Sequence, residues 1–292
     1  MKHTTTGAKI LLDVLAIMMP NTSKSKLRKM LTEGRIHVDG TTIHKARSQV
    51  EKGSVVEILS KKKAFEATPP PPSKKKSNLD ILWEDDAILV VEKPAGLLSI
   101  ATDKLEVDTL HSRCVDYVRL TNERSWCHIV HRLDRDTSGV MVFARHERHK
   151  EYIQSQFAER AVHRTYHALI EGRPKQEFGT TREWLVEDKH LHVKRVKPTF
   201  HGAKEAITHW SLSETDNHFS LLQITIETGR RHQIRMAMRS LGCPVVGDEL
   251  HGAETNPLNR VCLHASALEF LHPESDEPVR FESPIPRGFY PL

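Results

Sequence analysis

The run His131-Arg132-Leu133-Asp134-Arg135-Asp136-Thr137-Ser138-Gly139 sets one carboxylate, Asp134, between two arginines and directly ahead of a Thr-Ser-Gly turn. Flanking guanidinium groups favour the ionised form of a carboxyl group, and a turn presents it to a ligand rather than burying it. Such a carboxylate can attack an electrophilic carbon or take a proton. Asp136 lies two residues on, but glycoside hydrolysis needs two carboxylates roughly 5 Å or more apart across a sugar, and two aspartates in one turn are poorly placed for that. Nineteen histidines invite a metal reading. His146/His149 and His190/His192 have some ligand-like spacing, yet no acidic or cysteine partner accompanies either pair in a recognisable pattern. Cys114, Cys127, Cys243 and Cys262 lack CxxC spacing and suit a reduced, cytoplasmic protein. Neither GxGxxG nor GxxxxGK[ST] occurs, so a nucleotide cofactor is unsupported.

The elements that must position these residues follow from length and pattern. A chain of 292 residues, 38% hydrophobic, with mean hydropathy −0.47, is expected to be soluble, with one sizeable domain and a small one. No apolar run approaches the ~20 residues that span a bilayer, and no signal core follows the first six residues. The net charge of +5 is uneven: residues 1–80 hold 16 basic against 7 acidic residues, and the remainder 27 against 31. A basic module on a near-neutral body is an electrostatic handle for a polyanion, or a solubilising tail.

In that module Ile10, Leu11, Val14, Leu15 and Met18 recur at helical spacing, and Pro20 ends the helix. Thr22 or Ser23 can cap a second helix, where Leu27, Met30 and Leu31 face a core and Lys24, Lys26, Arg28 and Lys29 take the other faces. Alternating apolar residues around Asp39-Gly40 predict a hairpin, and 54–59 a further strand. Residues 61–78, with six lysines and the run Pro69 to Pro72, read as an extended tether. Beyond it, strands are expected at 81–93, 140–144, 165–170, 206–213 and 220–227, and helices near 106–121, 147–159 and 232–241. The expected class is α+β, a mixed and largely antiparallel sheet with flanking helices.

Four segments in order, "EDDAILVVEKPAGLL" (84–98), the Asp134 run, "VHRTYHALIEG" (162–172) and "ETGRRHQIRMAMRSLGCPVVGD" (227–248), with a weaker fifth, "LHASALEFLHP" (263–273), resemble the RluA-like pseudouridine synthases. The resemblance spans roughly two hundred residues. It implies an enzyme that isomerises specific uridines in structured RNA, ribosomal RNA ahead of transfer RNA, by base flipping and an aspartate-dependent exchange of the N1 for the C5 glycosidic bond. It needs no cofactor and no metal, and the protein is expected to act as a cytoplasmic monomer. Asp134 takes the catalytic role, by covalent attack or by removing the ribose 2′ proton, and the sequence leaves both routes open. Arg132 would fill the gap left by the flipped base, Tyr166 would lie against the uracil, and Arg235 would pair with Asp134 and lower its pKa. Arg230 would bind phosphate or order its loop.

Arg164 stands where the family more often has lysine, Ala237 where it often has histidine, and His251 where tyrosine is common. The piece "TSKSKLRKMLTEGRIHVDG" within residues 9–59 resembles the RNA-binding domain named after ribosomal small-subunit protein S-four. It implies that Lys24, Lys26, Arg28 and Lys29 contact phosphates. The expected organisation is a small basic α/β RNA-binding domain at 1–60, a Lys/Pro-rich linker at 61–78 and a catalytic domain at 79–292. An RNA-binding protein that kept the fold and lost activity is the competing reading. It has to explain why Asp134, Tyr166 and Arg235 all keep the residue types the reaction needs.

Overall fold

A computed structural model describes residues 1–32, 34–43, 45–59, 79–102, 106–188 and 192–291. The segment 61–78 read as a tether lies outside them, as do His190 and the side chain of Lys29. The chain divides into two compact units, Met1–Ser77 with Ala101–Val107, and Asn78–Ile100 with Asp108–Leu292.

In the smaller unit the strands β1 (Lys2–Thr4), β3 (Ile36–Val38), β4 (Thr41–Thr42) and β6 (Val55–Ile58) form a sheet in the order β1-β6-β3-β4, while β2 (Lys9–Ile10) pairs β5 (Gln49–Val50). Helices α1 (Leu11–Met18) and α2 (Lys24–Thr32) bury Leu11, Val14, Leu15, Leu27, Met30 and Leu31 in one core with Ile36, Val56 and Ile58. The expected hairpin is present. Asp39 and Gly40 both have positive φ (50° and 80°), the geometry of a two-residue turn that matches strand twist. Ser23 is the cap of α2, its Oγ accepting from the Lys26 N–H at 3.3 Å.

The larger unit is built on one mixed sheet. In chain order its elements are β7 (Asp80–Glu84), β8 (Ile88–Lys93), α3 (Leu110–Arg119), β9 (His128–Ile129), β10 (Ser138–Ala144), α4 (Glu147–Ala158), β11 (His163–Glu171), β12 (Phe178–Glu187), β13 (Val193–Val196), β14 (Lys204–Thr215), β15 (Phe219–Ile226), α5 (Gln233–Ser240), β16 (Leu263–Leu271) and β17 (Pro278–Glu282). Among the described residues the strand order is β13-β12-β14-β15-β11-β16-β10-β8-β7, with β17 on β16 and β9 on β10. The β10–β16 pair is parallel and its neighbours are antiparallel. The class is α+β, as the pattern implied.

Strand periodicity sorts the core into two layers. Leu89, Val91, Met141 and Phe143 face one side of the sheet, with Cys114, Val115 and Val118 of α3 and Ile234, Ala237 and Met238 of α5. Ile88, Val90, Val140 and Val142 face the other, with Ile153 of α4. Helices cover both faces of β8 and β10, which is why 88–91 and 140–144 are unbroken apolar runs. Strands β12 and β13 escaped the sequence reading because they are the outer strands of their edge. Their residues are mostly polar, and Leu185 is among the few buried apolar side chains there.

The run after Asp134 enters β10 through Gly139, which has φ 116°. A Cβ there would lie 2.1 Å from the Ala265 carbonyl oxygen of β16. The parallel pairing thus requires glycine at this position by both dihedral and contact. Gly139→Ala is expected to lower stability by at least about 2 kcal/mol, read as a reduced urea midpoint. An unchanged midpoint would refute the close approach.

Candidate active site

The loop between β9 and β10 is fastened on either side of Asp134. The Ser99 hydroxyl donates to the Leu133 carbonyl (2.7 Å) and accepts from the Leu133 N–H (3.1 Å). The Lys93 ammonium, fully buried, donates to the carbonyls of Pro94 (2.9 Å), Leu97 (2.7 Å) and Arg135 (2.8 Å). Burial pushes Lys93 down to about 8 against the opposing pull of Asp136 and Asp134. The Gly96 N–H also donates to the Arg135 carbonyl, and Arg135 Nε returns a bond to Gly96. His131 stacks on Phe157 at 5.0 Å, and its Nε2 accepts from the Val142 N–H. Burial and Arg164 push His131 down to about 3, so it is neutral, as an acceptor must be. With residues 131, 133 and 135 held this way, the side chain of Asp134 is free to be offered.

Asp134 is half-buried. Burial raises its carboxyl above the ordinary aspartate range. Arg235, Arg132, Arg231 and the N–H of His232 pull the other way without cancelling it. This corrects the expectation that neighbouring arginines lower the pKa, because loss of hydration outweighs them. The N–H that faces the carboxylate belongs to the residue ahead of α5, and His232 adopts the left-handed conformation (φ 54°, ψ 20°). Non-glycine residues take that conformation at a cost, typically at functional positions.

The start of α5 is fixed by Gln233, every polar atom of which is satisfied. Its Oε1 accepts from Thr228 (2.7 Å) and from the Arg230 N–H (3.0 Å), and its Nε2 donates to the Ile207 carbonyl (2.9 Å) and to the Thr208 hydroxyl (3.1 Å). One step along, Arg235 does not spend its hydrogen bonds on Asp134 as the resemblance implied. Its Nε and a terminal nitrogen donate to the two carboxylate oxygens of Asp248, at 2.7 and 2.5 Å. Asp248 is 1% exposed, and a buried carboxylate needs this fork. Arg235 acts on Asp134 through its field alone.

Tyr166, on β11, is buried and lies close enough for the Asp134 charge to bear on its phenol. The pairing with β16 shifts register between Thr165 and Tyr166, where Ser266 is the extra residue, so β16 bulges opposite Tyr166. Bulges commonly re-aim a side chain beside a site. Residues 134, 166 and 235 therefore share one locality. Arg132 is exposed beside them. Arg164 is buried, donates to the carbonyls of Ile226 and Glu227, and covers the Phe157 ring. Arg230 is exposed, with Nε donating to the Glu205 carbonyl of β14. Asp136 lies within the field of Lys93 and Arg235.

The sequence reading missed Lys93, Ser99, Arg231, His232 and Asp248 as site residues. The Lys-Pro-x-Gly stop and the Gly247-Asp248 pair were legible signals for two of them. His146 and His149 stack edge to face at 5.3 Å. Among the described residues no group of three or more histidines, cysteines or acids could hold a metal.

Comparison with known proteins identifies the family. Residues 87–240 match the family described as RNA pseudouridylate synthase. The chain is 35% identical over 241 residues to the uncharacterized RNA pseudouridine synthase YhcT of Bacillus subtilis, covering 81% of this chain and 77% of that protein. It is 33% identical over 297 residues to ribosomal large subunit pseudouridine synthase D of Xanthomonas campestris, covering 96% of this chain and 86% of that one. The solved structure of human RNA Pseudouridylate Synthase Domain Containing 4 has a similar fold, with a TM-score of 0.61 at 22% identity over 72% of this chain and 90% of that one.

Removing one partner of a buried ion pair strands the other. Asp248→Ala is therefore expected to cost about 3–5 kcal/mol, measured by urea unfolding. A loss below about 1 kcal/mol, the range of exposed pairs, would show that Arg235 has no need of this carboxylate.

Proposed function

Because the chain belongs to the RNA pseudouridylate synthases, and is an enzyme of that class, we propose that it isomerises specific uridines of structured ribosomal RNA with Asp134 as the catalytic carboxylate. The observation that carries this reading is the convergence on Asp134 of three guanidinium groups, the His232 N–H and the Tyr166 ring, in a loop fastened on both sides. The reaction breaks the bond between N1 and C1′, turns the uracil and joins C5 to C1′; C5 gives up its proton to solvent and N1 takes one up. An ionised Asp134 serves either route, by attack on the nucleoside or by removal of the 2′ proton. Its raised pKa makes the ionised form more basic than a free aspartate, and Arg235 stabilises that charge.

Uridine inside a helix must leave the stack before it can react, at a cost of a few kcal/mol. Exposed Arg132 is suited to stack in the vacated position. Tyr166 offers an aromatic face to the extruded base, a stacking interaction worth ~1–3 kcal/mol. The reading of ribosomal rather than transfer RNA is supported by the relative named for the large ribosomal subunit, which aligns with 96% of this chain. We assign the smaller unit the role of RNA grip. Lys24 and Lys26 on α2 are exposed, and with Arg28 and Lys29 they would neutralise phosphates. Arg230, exposed ahead of His232, would meet phosphate nearer the reaction. The protein would act as a monomer in the cytoplasm.

Ribosomal RNA transcripts labelled with tritium at uridine C5 should release label to water with the native protein and none with Asp134→Asn. Equal release by both would remove Asp134 from the chemistry, and release from transfer RNA alone would overturn the substrate. Alanine at Lys24, Lys26, Arg28 and Lys29 together should weaken RNA binding. It should also flatten the slope of log K against log salt by about 0.7–0.9 for each phosphate that is no longer neutralised. An unchanged slope would take α2 off the RNA.

A further inference from the structure

One short turn holds the start of α5 at two points. The turn Glu249–His251 follows Asp248, which grips Arg235, and ends on His251, whose Nε2 lies 3.1 Å from Nδ1 of His232. The two imidazoles meet edge to face at 5.1 Å. His232 and Arg235 are three residues apart at the head of the helix, so the turn grasps neighbouring side chains. His251 is itself tied back, its N–H donating to the Asp248 carbonyl at 2.9 Å. It is 4% exposed, and its Nδ1 is buried with no hydrogen-bond partner.

The orphaned nitrogen identifies the donor. If His232 donated, the proton of a neutral His251 would sit on Nδ1, a buried N–H without an acceptor. If His251 donates from Nε2, its Nδ1 is left with only an unused lone pair, the cheaper vacancy. Both rings are held neutral. Burial and the charges of Arg235, the partner ring and Arg231 push His232 down to about 3, against the opposing pull of Asp248. Burial, Arg235 and Arg239 lower His251 against Asp248 and Asp134. The donor arrangement is therefore stable at neutral pH. What it stabilises is a residue in a costly conformation whose N–H faces Asp134.

We propose that His251 is a positioning residue for uridine isomerisation: by donating to His232 it keeps that residue in the left-handed conformation that aims its N–H at Asp134. This rests on the reading of Asp134 as the catalytic group. It assigns a purpose to the histidine that stands where the family commonly has tyrosine.

The test compares His251→Phe, which keeps a ring and loses the donor, with His251→Gln, whose amide can still donate. The first readout is the Asp134 carboxyl titrated by carbon-13 NMR in the full chain without RNA. An N–H that strays from the carboxylate should raise the Asp134 midpoint by about one unit in the Phe variant, and Gln should restore part of the shift. The second readout is tritium release, where kcat should fall about tenfold in the Phe variant with KM unchanged. An Asp134 midpoint equal in native and Phe proteins, or shifted equally by Phe and Gln, overturns the proposal. If the Phe variant fails to fold, His251→Met against His251→Gln gives the same contrast. Full tritium release by Asp134→Asn would sink the catalytic reading while leaving the NMR comparison to decide the positioning on its own.

Discussion

Holding a carboxylate partly out of water is the constraint on which this site depends. Water would stabilise Asp134 better than the protein does, and the upward displacement of its pKa measures that deficit. A side chain in that position drifts back to solvent unless its backbone is fixed. The fixing is done by groups that are themselves costly to bury, namely the Lys93 ammonium, the Ser99 hydroxyl and the neutral His131 ring, each satisfied by named partners. Buried polar groups of this kind either find all their partners or destabilise the fold.

The same logic extends outward. Arg235 lends its field to Asp134 but is held by Asp248, so its charge is pinned by a second carboxylate. This separation is useful. An arginine bonded directly to Asp134 would pull its pKa down and weaken it as a base or nucleophile, whereas one held a step away stabilises the charge without capturing it. The sheet supplies the remaining precision. The parallel β10–β16 pair brings the strand leaving the Asp134 loop against the strand that bulges beside Tyr166, so two distant stretches of chain are set in register.

Much of this was legible in the sequence, and the reason differs by residue. Strands β8 and β10 announced themselves because both their faces are covered, giving unbroken apolar runs. The Asp39-Gly40 hairpin was legible because few residue pairs tolerate two consecutive positive φ angles. The locality of Asp134, Tyr166 and Arg235 followed from the family resemblance, not from spacing, since 32 residues and then 69 separate them along the chain. What stayed hidden was partnership. Nothing local marks Asp248 as the ligand of an arginine 13 positions earlier, or the backbone N–H of His232 as one that faces a carboxylate on another loop. The pKa direction was misjudged for the same reason. Charges adjacent in sequence can be counted, but lost hydration is a property of the folded surroundings.

Lys93 commits its three ammonium protons to main-chain carbonyls, those of Pro94 and Leu97 just after its own strand and that of Arg135 in the Asp134 loop. Such an amine is hidden from acylating reagents for as long as the loop keeps its shape. The rate at which it becomes labelled is therefore a clock for the opening of that loop.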